Sequence, residues 1–521
     1  MHWSEKIART LIERKPNKEE YVCAAGISPS GSVHIGNFRD IVTSYYVVKS
    51  LQKLGKKAKL LFSWDNFDRL RKVPVNVSNI VDGYEKYIGM PYTKVPNPFK
   101  TEEESYAKHF ENEFEAALKI LGIDNVDIKY QSEKYLNGDY TNQIIHALKN
   151  RKEIYDITMS FKTQETSEEE RENYYPISVY CDKCFKDSVK VLNYNENTKE
   201  LTFKCLECGE EKTVNIEEYK LVKLSWKVDW PMRWEYEGVD FEPGGIDHAA
   251  NGGSYQVSSV IAKKIFNYEA PVFQGYGWLG IQGLGSMHSS SGMNLTPKTI
   301  LSIYEPEIVR WLFSKYEPKD AFNFCFDETI LRHYSEFDKL VTGYLNNTID
   351  EFNRDILDLA FIKKPTKTKT PFGILSSVSP ICNFNKEIIK TSLNKAGVDY
   401  DNESLERLDK VEYWLKNYMP NKIYKVIESK NEEYYNNLTE EEKDKVKKLY
   451  KFLKTGNVND VQQYMYDLIN NPELSKKENL NNQMHYFKIF YNLLFGQDDG
   501  PRLYLFFMAS NSEDYLKLLN F

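Results

Sequence analysis

The 521-residue chain has no apolar run of the roughly 18–20 residues that a bilayer crossing needs, so neither a membrane-spanning helix nor a membrane partner is expected. It opens on Met1-His2-Trp3-Ser4-Glu5-Lys6, a polar amphipathic segment without the pattern of a secretory leader, and a cytoplasmic location is expected. Positive charge is not in excess. The formal net charge is −7, which argues against a protein that coats nucleic acid non-specifically but leaves room for one that grips RNA through local basic patches and shape. Cysteine is scarce, seven in all. Four form two close pairs while Cys23, Cys325 and Cys382 stand alone, a usage that suits a reducing compartment with the pairs on a metal. Internal repeats and long low-complexity tracts are absent. What remains is ordinary globular composition, 41% hydrophobic and 28% charged, over a length that predicts about three domains.

Residues 28–39, Ser-Pro-Ser-Gly-Ser-Val-His-Ile-Gly-Asn-Phe-Arg, are the most informative stretch. They follow the apolar run Tyr21–Gly26, which reads as a buried parallel strand, and precede a helical pattern from Phe38 to about Leu54. Pro29, Gly31, His34 and Gly36 thus fall where a strand turns into a helix. Helix N-termini offer unpaired N–H groups to anions, and glycines let a nucleotide approach the backbone. A histidine there can donate to phosphate oxygens without a fixed full charge. The competing reading is an ordinary junction with a chance His-x-Gly.

Strands are predicted at Tyr21–Ile27, Ala58–Trp64 and Val126–Tyr130, with helices near Phe38–Leu54, Glu102–Leu121 and Thr141–Ile154. This alternation argues for a parallel α/β sheet. A polar acidic loop, Lys162–Arg171, leads into an insertion that carries the cysteine pairs, and α/β character returns from Leu221 to about Phe273. Val272–Gly277 then leads to a Gly/Ser-rich loop, Gly283–Gly292. A sheet interrupted and resumed predicts one domain in two halves, with the ligand crevice at the switch between them. Beyond residue 300 the pattern is helical, with elements at Pro306–Phe313, Asp327–Leu340, Leu405–Tyr418, Glu440–Leu453 and Leu480–Leu494 and a basic, Pro-flanked loop at 363–371.

Cys181-Asp182-Lys183-Cys184 and Cys205-Leu206-Glu207-Cys208 are separated by twenty residues. Each pair can hold one edge of a zinc tetrahedron, and Val189–Leu192 with Leu201–Lys204 supplies a hairpin between them. Four thiolates close the coordination sphere, so the zinc is expected to be structural. Gly244-Gly245-Ile246-Asp247-His248 precedes a helical pattern at Tyr255–Phe266; Asp247 either accepts ribose hydroxyls or caps the helix. The loop Ser286-Met287-His288-Ser289-Ser290-Ser291 either folds over phosphates or is a plain linker. Asp65 and Asp68, at the end of the second strand, either face the crevice and bind an ammonium or form surface salt bridges. Trp226, Asp229, Trp230, Arg233 and Trp234 suit a pocket for an alkyl chain with a charged tip, or a packed strand.

Taken in order, Pro29–Asn37, Trp64–Pro74, the cysteine pairs, Trp230-Pro231-Met232-Arg233-Trp234, Phe241–His248, the serine loop and Gly500-Pro501-Arg502-Leu503 resemble a class I lysyl-tRNA synthetase over nearly the whole chain. His34–Asn37 resembles the HIGH signature of that class, and Asp65–Pro74 is more specific to the lysine enzymes. The resemblance implies a Rossmann-like parallel-sheet catalytic domain in two halves, 1–175 and 216–300, around a zinc-ribbon insertion at 176–215. A helical junction at 301–345 and an all-α anticodon-binding domain at 346–521 would follow. It implies activation of lysine by ATP with Mg²⁺, then transfer of the lysyl group to the 3′ end of lysine tRNA, with tRNA bound before activation. No protein nucleophile is required. His34 and Asn37 would meet the ATP phosphates, with Pro29, Gly31 and Gly36 shaping that turn. Gly245, Asp247 and His248 would border adenosine and substrate. Gly26 and Ser28 would line the lysine site with His248, Trp226 and Tyr276 would wall its alkyl chain, and Asp65 would meet an ammonium. A monomer is favoured.

Two departures stand out. The second signature of the class, KMSKS, carries lysines that stabilise pyrophosphate; here those positions hold Ser286, Ser289 and Ser291, with Met287 and Ser290 between them. His288 or Lys298 would have to compensate, and a catalytically weak paralogue that binds tRNA or lysine is the alternative. Pro96–His109 resembles a segment that holds another metal in some relatives; of its ligands only His109 remains, and no metal is expected there. A glutamate-specific relative would offer its substrate a guanidinium, whereas a lysine site offers acids and aromatics.

Overall fold

The computed structural model describes residues 1–162, 167–284 and 295–521. The first strand, β1 (Tyr21–Ile27), is apolar and buried at all but one position, so both of its faces must be covered. It takes the centre of the sheet. β2 (Ala58–Trp64) pairs with it in parallel register, Tyr21 opposite Ala58 through Ile27 opposite Trp64, and β3 (Val126–Tyr130) pairs with β2. The helix Phe38–Lys53 makes the crossover between β1 and β2, burying Phe38, Ile41, Val42, Tyr46 and Leu51. The helix predicted from Glu102 starts at Tyr106, where the Ser105 side chain accepts from the Lys108 N–H at 3.2 Å. The pattern at Thr141–Ile154 resolves into two helices, Thr141–Lys149 and Arg151–Ser160.

The chain leaves the sheet through β4 (Ile177–Val179), builds a three-stranded antiparallel ribbon from β5 (Val189–Asn195), β6 (Glu200–Cys205) and β7 (Glu211–Asn215), and returns through β8 (Val222–Leu224), antiparallel to β4. The expected hairpin is the β5–β6 pair. Residues Trp226–Glu237 then form a helix, which removes the packed-strand reading of the tryptophan cluster. The sheet resumes with β9 (Phe241–Gly245) and β10 (Val272–Tyr276), giving the order β10-β9-β1-β2-β3, with every pair parallel. The strand order reverses between β1 and β9, so a crevice opens at their carboxyl ends. A further parallel pair, β11 (Leu279–Gln282) with β12 (Phe322–Cys325), was not evident in the sequence, because its partners lie about forty residues apart.

From Ile330 on, the described chain is helical. Helices as far as Leu405–Asn417 share the apolar core that underlies the sheet, knit by the buried Arg407, which meets Glu305 at 2.7 Å and Asp338 at 2.8 Å. Residues from Tyr435 to Leu519 close around a second core. Among the described residues no helix is long and apolar enough to cross a membrane.

Candidate active site and metal centre

The turn after β1 is held by its own backbone. The Asn37 N–H donates to the His34 carbonyl at 2.8 Å, and the Gly36 N–H donates to His34 Nδ1 at 2.9 Å. Because Nδ1 accepts, the neutral ring carries its proton on Nε2. Burial lowers the His34 pKa, which favours that neutral form. Gly36 is needed for this bond: a Cβ there would stand 3.0 Å from His34 Nδ1. Asn37 precedes the helix Phe38–Lys53 and makes no side-chain capping bond.

Across the switch, β9 ends in Gly244-Gly245. A Cβ on Gly244 would meet the Phe273 ring at 2.8 Å, so β9 and β10 can lie this close only with glycine. The chain then turns through a 3₁₀ segment, Ile246–Ala249. The following helix, Ser254–Lys264, has Gly253 at its N-cap, so Asp247 is not the cap. Burial lowers the His248 pKa against the opposing pull of Asp247.

The two turns converge. A cavity of about 470 Å³ is lined by Gly26, Ser28, Ser30, His34, Gly36, Asn37, Asp40 and Asp65 from one half, and by Trp226, Gly245, Asp247, His248 and Tyr276 from the other. Trp278, 82% exposed, stands at its edge. Pro29 and Gly31 are not among the lining residues; Gly31 packs toward Pro74 instead. Ser286, Met287, His288, Ser289, Ser290 and Ser291 lie outside the described residues.

A smaller chamber of about 60 Å³ continues from the cavity, sharing Gly26, Asp40, Asp65, Trp226 and His248 and adding Trp230, Arg233, Glu242 and Gly244. Its charges are unbalanced: Asp40, Asp65 and Glu242 face a single cation, Arg233. Asp65 accepts from Arg233 at 2.7 Å, and Asp229 holds the other side of that guanidinium at 3.0 Å. Glu242 accepts from the Trp234 indole at 2.6 Å, and burial pushes its pKa up to about 7. Asp40 accepts from the Tyr276 hydroxyl at 3.0 Å through Oδ2, while Oδ1 is buried with no partner among the described residues. Burial, reinforced by Glu242, holds the Asp40 carboxyl well above the usual range. Asp65 therefore lines the site, but its charge is already answered by Arg233; Asp40 and Glu242 have no ion-pair partner among the described residues, and of the two only Asp40 keeps a buried oxygen without a hydrogen bond. A visible signal pointed to it. Asp40 lies three residues after Asn37, hence on the same helical face. Trp226 stacks on Trp230 at 5.0 Å, with Arg233 lying 5.3 Å over its ring. Asp68 points elsewhere, to Lys223 on β8.

In the ribbon, Cys181 and Cys208 bring their sulfurs to 3.7 Å, Cys184 and Cys205 to 3.6 Å, and all four sulfurs lie within 4.8 Å of one another. Zinc bonds of about 2.3 Å in tetrahedral geometry place sulfurs about 3.8 Å apart, so the cluster fits that ion. Backbone turns hold each pair: Phe185 N–H to Cys181 O at 2.7 Å and Gly209 N–H to Cys205 O at 3.1 Å. The ribbon also braces the Asp65–Arg71 segment. Tyr180 donates to the Phe67 carbonyl at 2.7 Å, and Arg69 pairs with Asp187 at 3.0 Å.

Comparison with known proteins bears on this geometry. The family model described as tRNA synthetases class I (K) matches residues 1–360. A lysine–tRNA ligase of Borreliella burgdorferi is 33% identical over 518 residues, covering 96% of this chain and 95% of that protein. One of Pyrococcus horikoshii is 32% identical over 533 residues, covering 100% and 99%. One of Treponema pallidum is 40% identical over 340 residues, covering 65% and 63%.

Proposed function

The chain belongs to the class I (K) tRNA synthetases, and on that premise we propose that it joins lysine to lysine tRNA through a lysyl-adenylate made in the cavity between β1 and β9. The observation that carries this reading is the convergence of the His34 and Asp247 turns on one cavity that ends in an acidic chamber. A glutamate-specific pocket would need a free guanidinium; Arg233 is committed to Asp65 and Asp229.

In this proposal the lysine ε-ammonium enters the chamber and meets Asp40, with Trp226 and Tyr276 along the alkyl chain and Gly26 and Ser28 beside the α-carbon. Triphosphate, with its magnesium as part of the substrate, lies against the helix that starts at Phe38. One lysine carboxylate oxygen bonds to the α-phosphorus as the bond to pyrophosphate breaks. The neutral His34 donates from Nε2, and the Asn37 amide adds a donor, where oxygen charge builds up. Asp247 accepts from ribose. A terminal ribose hydroxyl of the tRNA then attacks the lysyl carbonyl and AMP leaves. No side chain takes a covalent part; catalysis is positioning and charge stabilisation. The four thiolates would hold a zinc that staples the ribbon against Phe67 and Arg69. Residues 1–175 and 216–300 serve as the catalytic halves and 346–521 carries the anticodon contacts.

A second reading, a weak paralogue that binds without charging, is favoured only by serine at 286, 289 and 291. Lysine-dependent ATP–pyrophosphate exchange and tRNA charging decide. Activity is expected with cognate tRNA present, and His34→Ala should lower kcat roughly 10²- to 10³-fold. Absence of both activities with lysine tRNA would reject the proposal, and tight tRNA binding without charging would favour the second reading.

A further inference from the structure

Arg39 follows the histidine turn directly, yet it is not among the residues that line the cavity or the chamber. It is 2% exposed and sits in the first turn of the helix Phe38–Lys53. A cation is disfavoured there twice, by burial and by the positive end of the helix, and burial brings its pKa down to about 10 against the opposing pull of Asp320. What the guanidinium gains is a pair of main-chain carbonyls matched to its fork. It donates from Nη1 to Gly277 O at 2.8 Å and from Nη2 to Asp320 O at 2.6 Å, with its carbon 5.3 Å from the centre of the Phe322 ring. Gly277 is held from a second side. Its N–H donates to Pro318 O at 2.9 Å, and a Cβ there would stand 2.6 Å from Lys319 O. One position further along the helix, Asp40 accepts from the Tyr276 hydroxyl at 3.0 Å. Two consecutive helix residues thus grip two consecutive residues of the β10–β11 connection, 39 on 277 and 40 on 276. The grip crosses from the segment before the ribbon to the segment after it, where Tyr276 lines the cavity and Trp278 stands at its edge.

We infer that Arg39 is a positioning residue for lysine: it fixes the backbone at Gly277 so that Tyr276 stands where the alkyl chain of the substrate passes. The inference rests on the synthetase reading above. The bond to Asp40 anchors only the tip of the Tyr276 side chain; the path of its backbone is set by the peptide that Arg39 holds. A packing role alone would be met by an uncharged side chain of similar length, without the cost of a buried charge.

The test uses the full chain in lysine-dependent ATP–pyrophosphate exchange with cognate tRNA present. Arg39→Met keeps most of the length and packing but leaves both carbonyls without their donor. It is expected to raise the lysine KM roughly 10- to 100-fold, with the ATP KM within about 3-fold. Gly277→Ala displaces the same peptide from Lys319 with Arg39 intact and should show the same split. In a Tyr276→Ala background, Arg39→Met should add less than about 2-fold to the lysine KM, because the ring that the arginine places is gone. In the free protein, hydrogen exchange at 276–279 should quicken in Arg39→Met while β1 and β2 keep their protection. A lysine KM within about 2-fold of wild type in either folded single variant, an ATP KM that rises as much as the lysine KM, effects that multiply in the double variant, or unchanged exchange at 276–279 would overturn the inference while the synthetase reading stood. Failure of the wild-type protein to support lysine-dependent exchange with tRNA present would overturn both.

Discussion

Replacing Asp40 by asparagine separates charge from shape at the inner end of the cavity. The amide oxygen of the new side chain can still accept from the Tyr276 hydroxyl, so the 3.0 Å bond and the packing survive. What disappears is the negative charge at the unpartnered Oδ1. An ammonium buried beside a carboxylate and then deprived of it costs about 2–5 kcal/mol, so Asp40→Asn should raise the lysine KM roughly 30- to 4,000-fold with the KM for ATP little changed. Without lysine the charge is a burden. Burial and the neighbouring Glu242 both oppose it, so the variant should melt no lower than wild type near pH 8. The pH dependence follows with a definite sign. The Asp40 carboxyl titrates well above its usual range and Glu242 at about 7, while the lysine ammonium stays charged until about pH 10. Below those raised values the chamber is protonated and attracts the ammonium weakly; affinity for lysine should therefore rise as pH rises through them. Lysine titrations of ATP–pyrophosphate exchange, with tRNA present, over roughly pH 6 to 9 would read both effects. A variant with lysine KM within about twofold of wild type and the same pH slope would refute this account of the chamber.

Two further outcomes are expected. Burial raises the Glu242 pKa to about 7, so the native state holds a proton that the unfolded chain releases between about 4.5 and 7. Stability falls as pH rises through that window, by about 3 kcal/mol for this one group, and stays low above it. Glu242→Gln should then be little different from wild type near pH 5 but melt higher at pH 7 and above; a gap that ignores pH would count against the assignment. For the ribbon, metal analysis should find about one zinc per chain. Chelation should speed hydrogen exchange at 181–215 and along 67–71 before it reaches β1 and β2, and uniform protection after zinc removal would contradict a structural role.

The central strands β1 and β2 were legible because they are buried on both faces, which writes the continuous apolar runs Tyr21–Ile27 and Leu60–Trp64 into the chain. The ribbon was legible because thiolate spacing is a local property. The helices Leu405–Asn417 and Glu440–Thr455 were found to within two residues, whereas Tyr106–Ile120 and Lys476–Phe495 begin four residues from where apolar periodicity placed them, since their starts are set by the Ser105 and Ser475 caps. The β11–β12 pair and the helix at Trp226 were not, since their identity depends on what lies beside them. In the site, His34, Asn37, Asp247, His248 and Tyr276 were recognised from glycine-rich turns and family resemblance and do meet in one cavity. Asp65 was also found, but its engagement by Arg233, 168 residues away, was invisible.

The amino-acid sequence by itself determined the parallel sheet, its interruption, the cysteine cluster and the two glycine turns, because each is a matter of short-range pattern: apolar runs, ligand spacing, and residues small enough for a tight backbone. Only the tertiary structure decided which acid keeps a buried oxygen without a partner among the described residues. That depends on the sum of neighbouring charges and burial around Asp40, Asp65 and Glu242, a quantity assembled from β1, β2, β9 and two helices and carried by no single stretch of chain.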